Sequence, residues 1–403
     1  MIDVVGIGAA GYETVGATER RLITTAARVL GSERQLDLLP DVAGQQRLAW
    51  PRPLRPALPA LLGDHEEVAT VVLASGDPLL AGIGSTVVEV FGAAAVRVHP
   101  VVSSVALARA RMRWSAESAE VVRLLDPSAD ALRRWLAPDR RLVVLSRDAG
   151  SPSSVAAVLQ DAGFGGSALT VLSDLGGHTE SRIDTSADLW GEQVAAELNV
   201  VCVTCVAGEA SALWSNGPGL PDEAYEHDGQ LTKRDLRASA LAHLMPVAGQ
   251  LLWDVGAGAG SVGIEWLRTQ ATCRAIAVEQ EPVRVARIVG NAARLGVPGL
   301  QVVEGSAPAA LQGLPRPDAV FVGGGVSKET IELAWRALAG GGRLVVHAVT
   351  WESEAQLMEA FEAHGGELTR IAVEHLEPLG GFLGWRPARA VVQWSAQKKL
   401  ELP

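Results

Sequence analysis

Cysteine, phenylalanine and tyrosine are all scarce in this chain, and each shortage narrows what it can be. Three cysteines among 403 residues, Cys202, Cys205 and Cys273, cannot build the disulfide framework of a secreted domain and suit a reducing, cytoplasmic setting. Cys202 and Cys205 form C-V-T-C, but no second pair exists to complete a zinc site. They lie in the alternating apolar stretch Asn199–Val206 and read as buried strand residues. Aromatic residues are only 4% of the chain, skewed to 11 Trp against 2 Tyr and 5 Phe; nothing in the sequence accounts for that skew. Long apolar runs are missing too. None reaches the roughly 18 residues of a membrane span, and MIDVVGIGAAGYE enters a strand and a glycine turn without the regions of a signal peptide. A soluble protein with no membrane partner is expected. Basic excess is also absent: the formal net charge is -11. That disfavours nucleic acid as a partner, while a local arginine cluster can still hold a small anion.

The length suits two domains of about 100–200 residues each. In the first half the apolar runs Ile2–Ile7, Val68–Ala74, Val96–Val102, Arg141–Leu145 and Ala168–Leu172 each end in small or turn-forming residues. Helical sequence usually follows, as in an α/β sheet whose strand ends carry the ligand site. The stretch Trp214–Gln230 is aperiodic and rich in Pro, Gly and acids. It reads as part of a linker, 213–230, between domains 1–212 and 231–403. Beyond it Leu231, Leu236, Ala240, Leu241 and Leu244 have helical spacing, with Thr232 as the expected cap.

The second half alternates more cleanly. Strands are expected at Leu251–Val255, Ala275–Glu279, Gln301–Glu304, Ala319–Val322 and Arg343–Val349, and helices at Val283–Leu295 and Lys328–Leu338. Two further β-like runs, Glu367–Glu374 and Arg389–Ser395, flank a Gly-rich turn, GGFLGWRP.

The strongest motif is DVGAGAGSVG, Asp254–Gly263. A strand ends, the chain turns tightly and a helix begins; glycines let the backbone turn sharply and lie against a ligand. The helix N-terminus favours a negative group such as the methionyl carboxylate of S-adenosyl-L-methionine. Gly258, Gly260 and Gly263 also fit the dinucleotide spacing G-x-G-x-x-G, and Glu279 after the next strand would hold ribose hydroxyls in either case. Three features favour S-adenosylmethionine: the D-x-G-x-G-x-G pattern led by Asp254, the short loop EGSAP that could close on adenine, and PDAVFVGG ending at the sheet edge. This order resembles the Rossmann-like class I methyltransferases.

The first half lacks that motif. It has GIGAAG, ASGDPLLAGIGS and VVSSVALARAR instead, in that order after strands. These resemble the tetrapyrrole methylase family, whose hallmark is a G-D-P loop after a strand. The likeness continues through LSRDAGSPSSVAAVLQDAGFGGSALTVLSDLGGHTE. It implies two α/β subdomains with the cofactor folded between them, held largely by backbone groups. Those groups would come from Gly8, Ser75, Gly76, Asp77, Ser103 and Ser104. A Pro often follows the glycines of the first loop in that family; this chain has Ala9-Ala10.

The pairing of the two halves, with the junction GLPDEAYEHDGQLTKRDLR, resembles the fused precorrin methyltransferases of cobalamin biosynthesis. The resemblance implies one S-adenosyl-L-methionine per domain, a tetrapyrrole (precorrin) substrate, methylation at two bridge carbons and decarboxylation of an acetate. It places Thr232, Gly256, Ala257, Gly258, Ala259, Gly260, Glu279, Ser306 and Ala307 against the second cofactor, and it suggests a homo-oligomer. No catalytic residue is singled out. His178, His243 and His347 are candidate proton donors, and Arg109, Arg111, Arg113 and Arg147 are candidate holders of substrate carboxylates. Two other readings stay open: a Rossmann-type methyltransferase acting on nucleic acid or another small molecule, and a non-catalytic sensor of a nucleotide cofactor.

Overall fold

Parallel strands covered on both faces are near-continuous apolar runs, and Leu251–Val255, Ala319–Val322 and Arg343–Ala348 are buried at every residue. The structure, a computed structural model, describes residues 1–124 and 128–400. The chain divides into two units, Met1–Ala129 with Trp135–Ala212, and Asp130–Arg134 with Leu213–Pro403.

The first unit holds two sheets. Strands β1 (Ile2–Ile7), β2 (Arg28–Gly31), β3 (Gln46–Ala49), β4 (Thr70–Ser75) and β5 (Val96–His99) are all parallel, in the order β3-β2-β4-β1-β5. Ile7 pairs with Ser75, so the glycine turns after β1 and β4 leave the sheet side by side. Strands β6 (Glu120–Arg123), β7 (Arg141–Leu145), β8 (Ala168–Ser173), β9 (Ser181–Ser186) and β10 (Asn199–Thr204) form a mixed sheet in the order β6-β7-β10-β8-β9. Cys202 and Cys205 lie in or just after β10, buried as expected, and burial pushes their thiols up to about 12 and about 11.

The second unit has one seven-stranded sheet. Its members are β11 (Leu251–Val255), β12 (Arg274–Glu279), β13 (Gln301–Glu304), β14 (Ala319–Val322), β15 (Arg343–Ala348) and β16 (Glu367–Ile371). A two-stranded ribbon follows, β17 (Glu374–Leu379) with β18 (Phe382–Pro387), before β19 (Val391–Gln397) rejoins the sheet. The order is β13-β12-β11-β14-β15-β19-β16. Succession runs one way from β11 to β12 and the other way to β14, which opens a crevice at the strand ends.

The expected strands are present with ends moved by a few residues. One reading is corrected: GGFLGWRP is not a simple turn, because Phe382–Pro387 is itself a strand paired with β17. Its side chains are almost all exposed, so no buried face left a periodic trace. A second correction concerns the helix Arg234–Leu244. Its N-cap is Lys233 with no side-chain cap, and Thr232 contributes its carbonyl to Arg237 Nη1 instead.

The polar stretch Trp214–Gln230 is packed as a strap against the second unit's core. Leu220, Ala224 and Tyr225 are buried in the second unit's core. They are held by Glu265 on the helix Ser261–Thr269, which is buried from Ser261 to Arg268. Its carboxylate accepts from Gly219 N (2.7 Å), Leu220 N (3.0 Å), Tyr225 Oη (2.9 Å) and Arg237 Nε (2.6 Å). Arg237 is itself fully buried. Three tryptophans, Trp253, Trp266 and Trp394, fill the core, and each indole N–H meets a backbone carbonyl. Among the described residues no helix is long and apolar enough to cross a membrane.

Removing one partner of a buried, fully bonded ion pair costs about 3–5 kcal/mol, because the other charge is left stranded. Glu265→Leu is therefore expected to lower the stability of the second unit by that amount in urea titrations followed by tryptophan fluorescence. A loss below about 1 kcal/mol would contradict the strap's role.

Candidate functional site

The loop after β11 is fixed by its neighbours before any ligand arrives. Gly256 N and Ala257 N donate to Val278 O at 2.9 and 3.1 Å, and Gly258 N donates to Glu279 Oε2 at 2.8 Å. Gly256 and Gly258 have φ of 67° and 59°, the left-handed region that glycine enters without penalty. A Cβ at Gly256 would sit 2.7 Å from Gly324 backbone, and one at Gly258 would sit 2.7 Å from Gln230 O. The loop glycines are thus demanded by the chain's own packing, so a side chain at Gly258 would disturb the fold as well as any ligand.

Glu279 ends β12 almost wholly buried. Its Oε1 accepts from Gln280 N (3.0 Å) and Glu281 N (3.1 Å). A carboxylate has about four acceptor directions; three are taken by backbone, and one is left for a ligand hydroxyl.

These groups line a cavity of about 1050 Å³ at the crevice of the sheet. Of the residues expected there, Thr232, Gly256, Ala257, Gly258, Glu279, Ser306 and Ala307 line it. Ala259 and Gly260 do not: Ala259 is packed in the core and its carbonyl accepts from Asn291 Nδ2 at 3.0 Å. Sequence reasoning missed Arg234, His375 and Arg389, which also line the cavity. They stand far from the glycine motif along the chain, and no local pattern marks them.

Asp254, which leads the motif, faces away from the cavity. Its Oδ2 accepts from Gly263 N at 2.8 Å, and its Oδ1 is buried with no hydrogen-bond partner among the described residues. Burial raises its pKa to about 7, with the charge of Glu279 adding to the rise and the Gly263 N–H opposing it. His347 lines the cavity, bonds Gln393 Oε1 through Nε2 at 2.9 Å, and is lowered to about 4 by burial. It is a neutral imidazole at pH 7 and holds no spare proton. His243 is half-buried beside Gln393, and His178 is exposed in the first unit.

In the first unit, Gly8, Ser75, Gly76 and Ser104 line a second cavity of about 120 Å³. Asp77 and Ser103 do not. Asp77 Oδ1 accepts from Leu79 N at 2.9 Å, and Ser103 Oγ caps the helix Ser104–Met112 through Ala106 N at 3.1 Å. None of Arg109, Arg111, Arg113 and Arg147 lines it; Arg111 is paired with Glu180 and Arg147 with Asp148. Arg34 lines it instead. Among the described residues no cluster of three or more His, Cys, Asp or Glu is arranged to hold a metal ion.

Comparison with known proteins follows the same division. Residues 1–189 match the family of tetrapyrrole (corrin/porphyrin) methylases, and residues 223–398 match the precorrin methyltransferase domain. The chain is 42% identical over 398 residues to a precorrin-6Y C(5,15)-methyltransferase [decarboxylating] of Sinorhizobium sp., with 98% of this chain and 96% of that one covered. To the protein of the same name from Mycobacterium tuberculosis it is 43% identical over 404 residues, covering 99% and 100%. Among solved structures, the C-terminal domain of precorrin-6Y C5,15-methyltransferase from Rhodobacter capsulatus is 46% identical. It covers 46% of this chain and 100% of that one, with a TM-score of 0.44.

The Asp254 shift fixes a pH dependence. The folded state keeps the proton up to about pH 7, whereas the unfolded chain releases it near 3.8. Over that interval the unfolded state binds fewer protons, so this group's contribution to stability falls as pH rises and levels off above 7. Asparagine cannot ionise. Thermal melts of Asp254→Asn and the parent from pH 4 to 8 should show the variant gaining on the parent up to about pH 7. A difference constant across pH would overturn the assignment.

Proposed function

Because this chain belongs to the family of decarboxylating precorrin-6Y C(5,15)-methyltransferases, we propose that it holds two S-adenosylmethionine molecules, one in each unit. The enzyme methylates precorrin-6Y at carbons 5 and 15 and releases carbon dioxide from an acetate side chain, in cobalamin biosynthesis. The first unit's site rests on the cavity lined by Gly8, Ser75, Gly76 and Ser104. The observation that carries the second unit's site is the Glu279 carboxylate locked onto Gly258 N–H at the wall of a cavity of about 1050 Å³. Ligand sites usually run to about 300–1,000 Å³, so this cavity has room for cofactor and part of a macrocycle. The spare acceptor on Glu279 suits a ribose hydroxyl, and Ser306 and Ala307 suit the adenine side. The first unit's cavity is smaller than such sites. Gly8 faces open space where a Cβ would stand, which leaves its loop free to take a ligand as the cavity widens.

When bound, S-adenosylmethionine supplies a methyl group already activated on a sulfonium. The bridge carbons of a reduced tetrapyrrole are enamine-like, so the chain's task is alignment and exclusion of water. The electron pair left by the departing carboxyl group passes into the conjugated ring. The substrate is a polyanion, and we assign its carboxylates to Arg234 and Arg389. Both are exposed at the cavity, with no ion-pair or hydrogen-bond partner among the described residues.

The chain is further inferred to be a cytoplasmic homo-oligomer. The ribbon β17–β18 exposes Leu376, Leu379, Phe382, Leu383 and Trp385, an apolar surface of the kind that marks an interface. Sedimentation at the mass of one copy would remove the oligomer inference, and recovery of the protein outside the cytoplasmic fraction would remove the other.

Calorimetry on the intact chain should give two bound S-adenosylhomocysteine molecules. Glu279→Ala should weaken one event ten- to a hundredfold, the equivalent of losing a charge-assisted bond of about 1.5–3 kcal/mol. A stoichiometry of one defeats the two-site reading. Arg389→Ala and Arg234→Ala should each raise KM for precorrin-6Y about tenfold with kcat little changed, since uniform binding is lost. Unaltered KM in both would show that these arginines do not meet the substrate.

A further inference from the structure

Among the described residues of the first unit, two buried side-chain polar atoms have no hydrogen-bond partner, and both belong to residues that line one cavity. Asn199 is the first residue of β10 and is 5% exposed. Its Nδ2 donates to Asp148 O at 3.1 Å and Ala196 O at 2.9 Å. Both partners are carbonyls and can only accept, so the amide cannot be turned over. Its Oδ1 is therefore the free atom, buried and without a hydrogen bond among the described residues. Ser146 Oγ is in the same condition. Val200 pairs with Leu145 in the antiparallel β7–β10 ladder. One step along that register, Asn199 stands opposite Ser146, close enough for both side chains to meet one group.

Native proteins seldom leave buried acceptors unmet, and a ligand is one reason for an exception. The neighbouring cavity walls are apolar: Leu145, Leu172, Leu175 and Val200. They suit a flat ring with a hydrogen-bond donor on its edge. The glycine turns at Gly8 and Gly76 line the same cavity and offer backbone groups to the other end of a long ligand. We propose that Asn199 and Ser146 recognise the adenine edge of S-adenosylmethionine in the first unit. The 6-amino group donates to Asn199 Oδ1, and the Ser146 hydroxyl bonds the adjacent part of the ring edge. This rests on the reading that the first unit has its own cofactor site. It adds side-chain discrimination of the base to a site otherwise expected to work through its backbone.

Ser146→Ala is a clean test, because Oγ has no hydrogen-bond partner among the described residues and its removal breaks none there. The full-length chain is titrated with S-adenosylhomocysteine and with S-inosylhomocysteine, which carries a carbonyl oxygen where adenine has its amine. One of the two binding events should favour the adenosyl ligand at least about tenfold, since the inosyl oxygen would face Asn199 Oδ1. In Ser146→Ala that event should weaken about tenfold for the adenosyl ligand, while the melting temperature of the free protein is unchanged. Asn199→Ala should weaken the same event and also lower the melting temperature, because Asp148 O and Ala196 O lose their donor. Equal affinity of that event for the two ligands would overturn the adenine assignment and point to the methionyl ammonium. Unchanged adenosyl affinity in Ser146→Ala would overturn the role of Ser146. A single binding event that responds only to Glu279→Ala would defeat the underlying reading, and this inference with it.

Discussion

At the end of a parallel strand the backbone loses its ladder partners, and whatever replaces them decides the shape of the crevice. In the second unit the replacement is the Glu279 carboxylate. It takes the N–H of Gly258 from one loop and those of Gln280 and Glu281 from its own, so the two loops beside the cavity are tied through one side chain. A ligand meeting this edge does not have to order it, which spares the conformational cost of closure. The same charge adds to an effect that burial sets one strand away. Asp254 is buried beside it and is driven toward its neutral form. Two carboxylates on adjacent strands thus take different parts: Asp254 tethers the helix start at Gly263, and Glu279 keeps an acceptor for the cavity.

The first unit solves the same problem without an acid. Its β1 and β4 ends lie in register, and a Cβ at Gly6 would fall 2.1 Å from Gly76 O. The two turns are therefore packed backbone against backbone. Such contact fixes a loop tightly but offers few side-chain contacts for a ligand. Discrimination then falls to the second sheet of that unit, where Ser146 and Asn199 stand at adjoining strand ends.

The sequence made the parallel core of the second unit legible because its strands are short, mostly apolar runs separated by glycine loops. The glycine motif and Glu279 were legible for the same reason, since a loop and the next strand's end lie close in the chain. The strap was not. Leu220, Ala224 and Tyr225 are spaced without period among prolines and acids, and their anchor Glu265 sits on a helix that reads as core. Arg237 has the pattern of a solvated helix charge and is fully buried, because its partners come from three separate segments. Arg389 was invisible in a different way: it reaches the cavity only because the β17–β18 ribbon returns the chain to β19.

Charge placement links these features to the chemistry. A chain with a net charge of -11 handles a polyanion, so its general field opposes the substrate. At 0.15 M salt that field fades within about 8 Å, and contact groups decide the outcome. At the second cavity the guanidiniums of Arg234 and Arg389, unpaired among the described residues, are exposed, while the buried members, Glu279 and His347, are respectively bound to backbone and uncharged. The carboxylates can therefore be held by groups that remain partly in water, and no unpaired cation has to be buried to hold them. In the proposed reading the transfer asks only that a sulfonium methyl group and an enamine-like carbon be brought into line. An additional fixed charge buried beside them would have to be desolvated at a cost of several kcal/mol, with no step of the transfer to offset it.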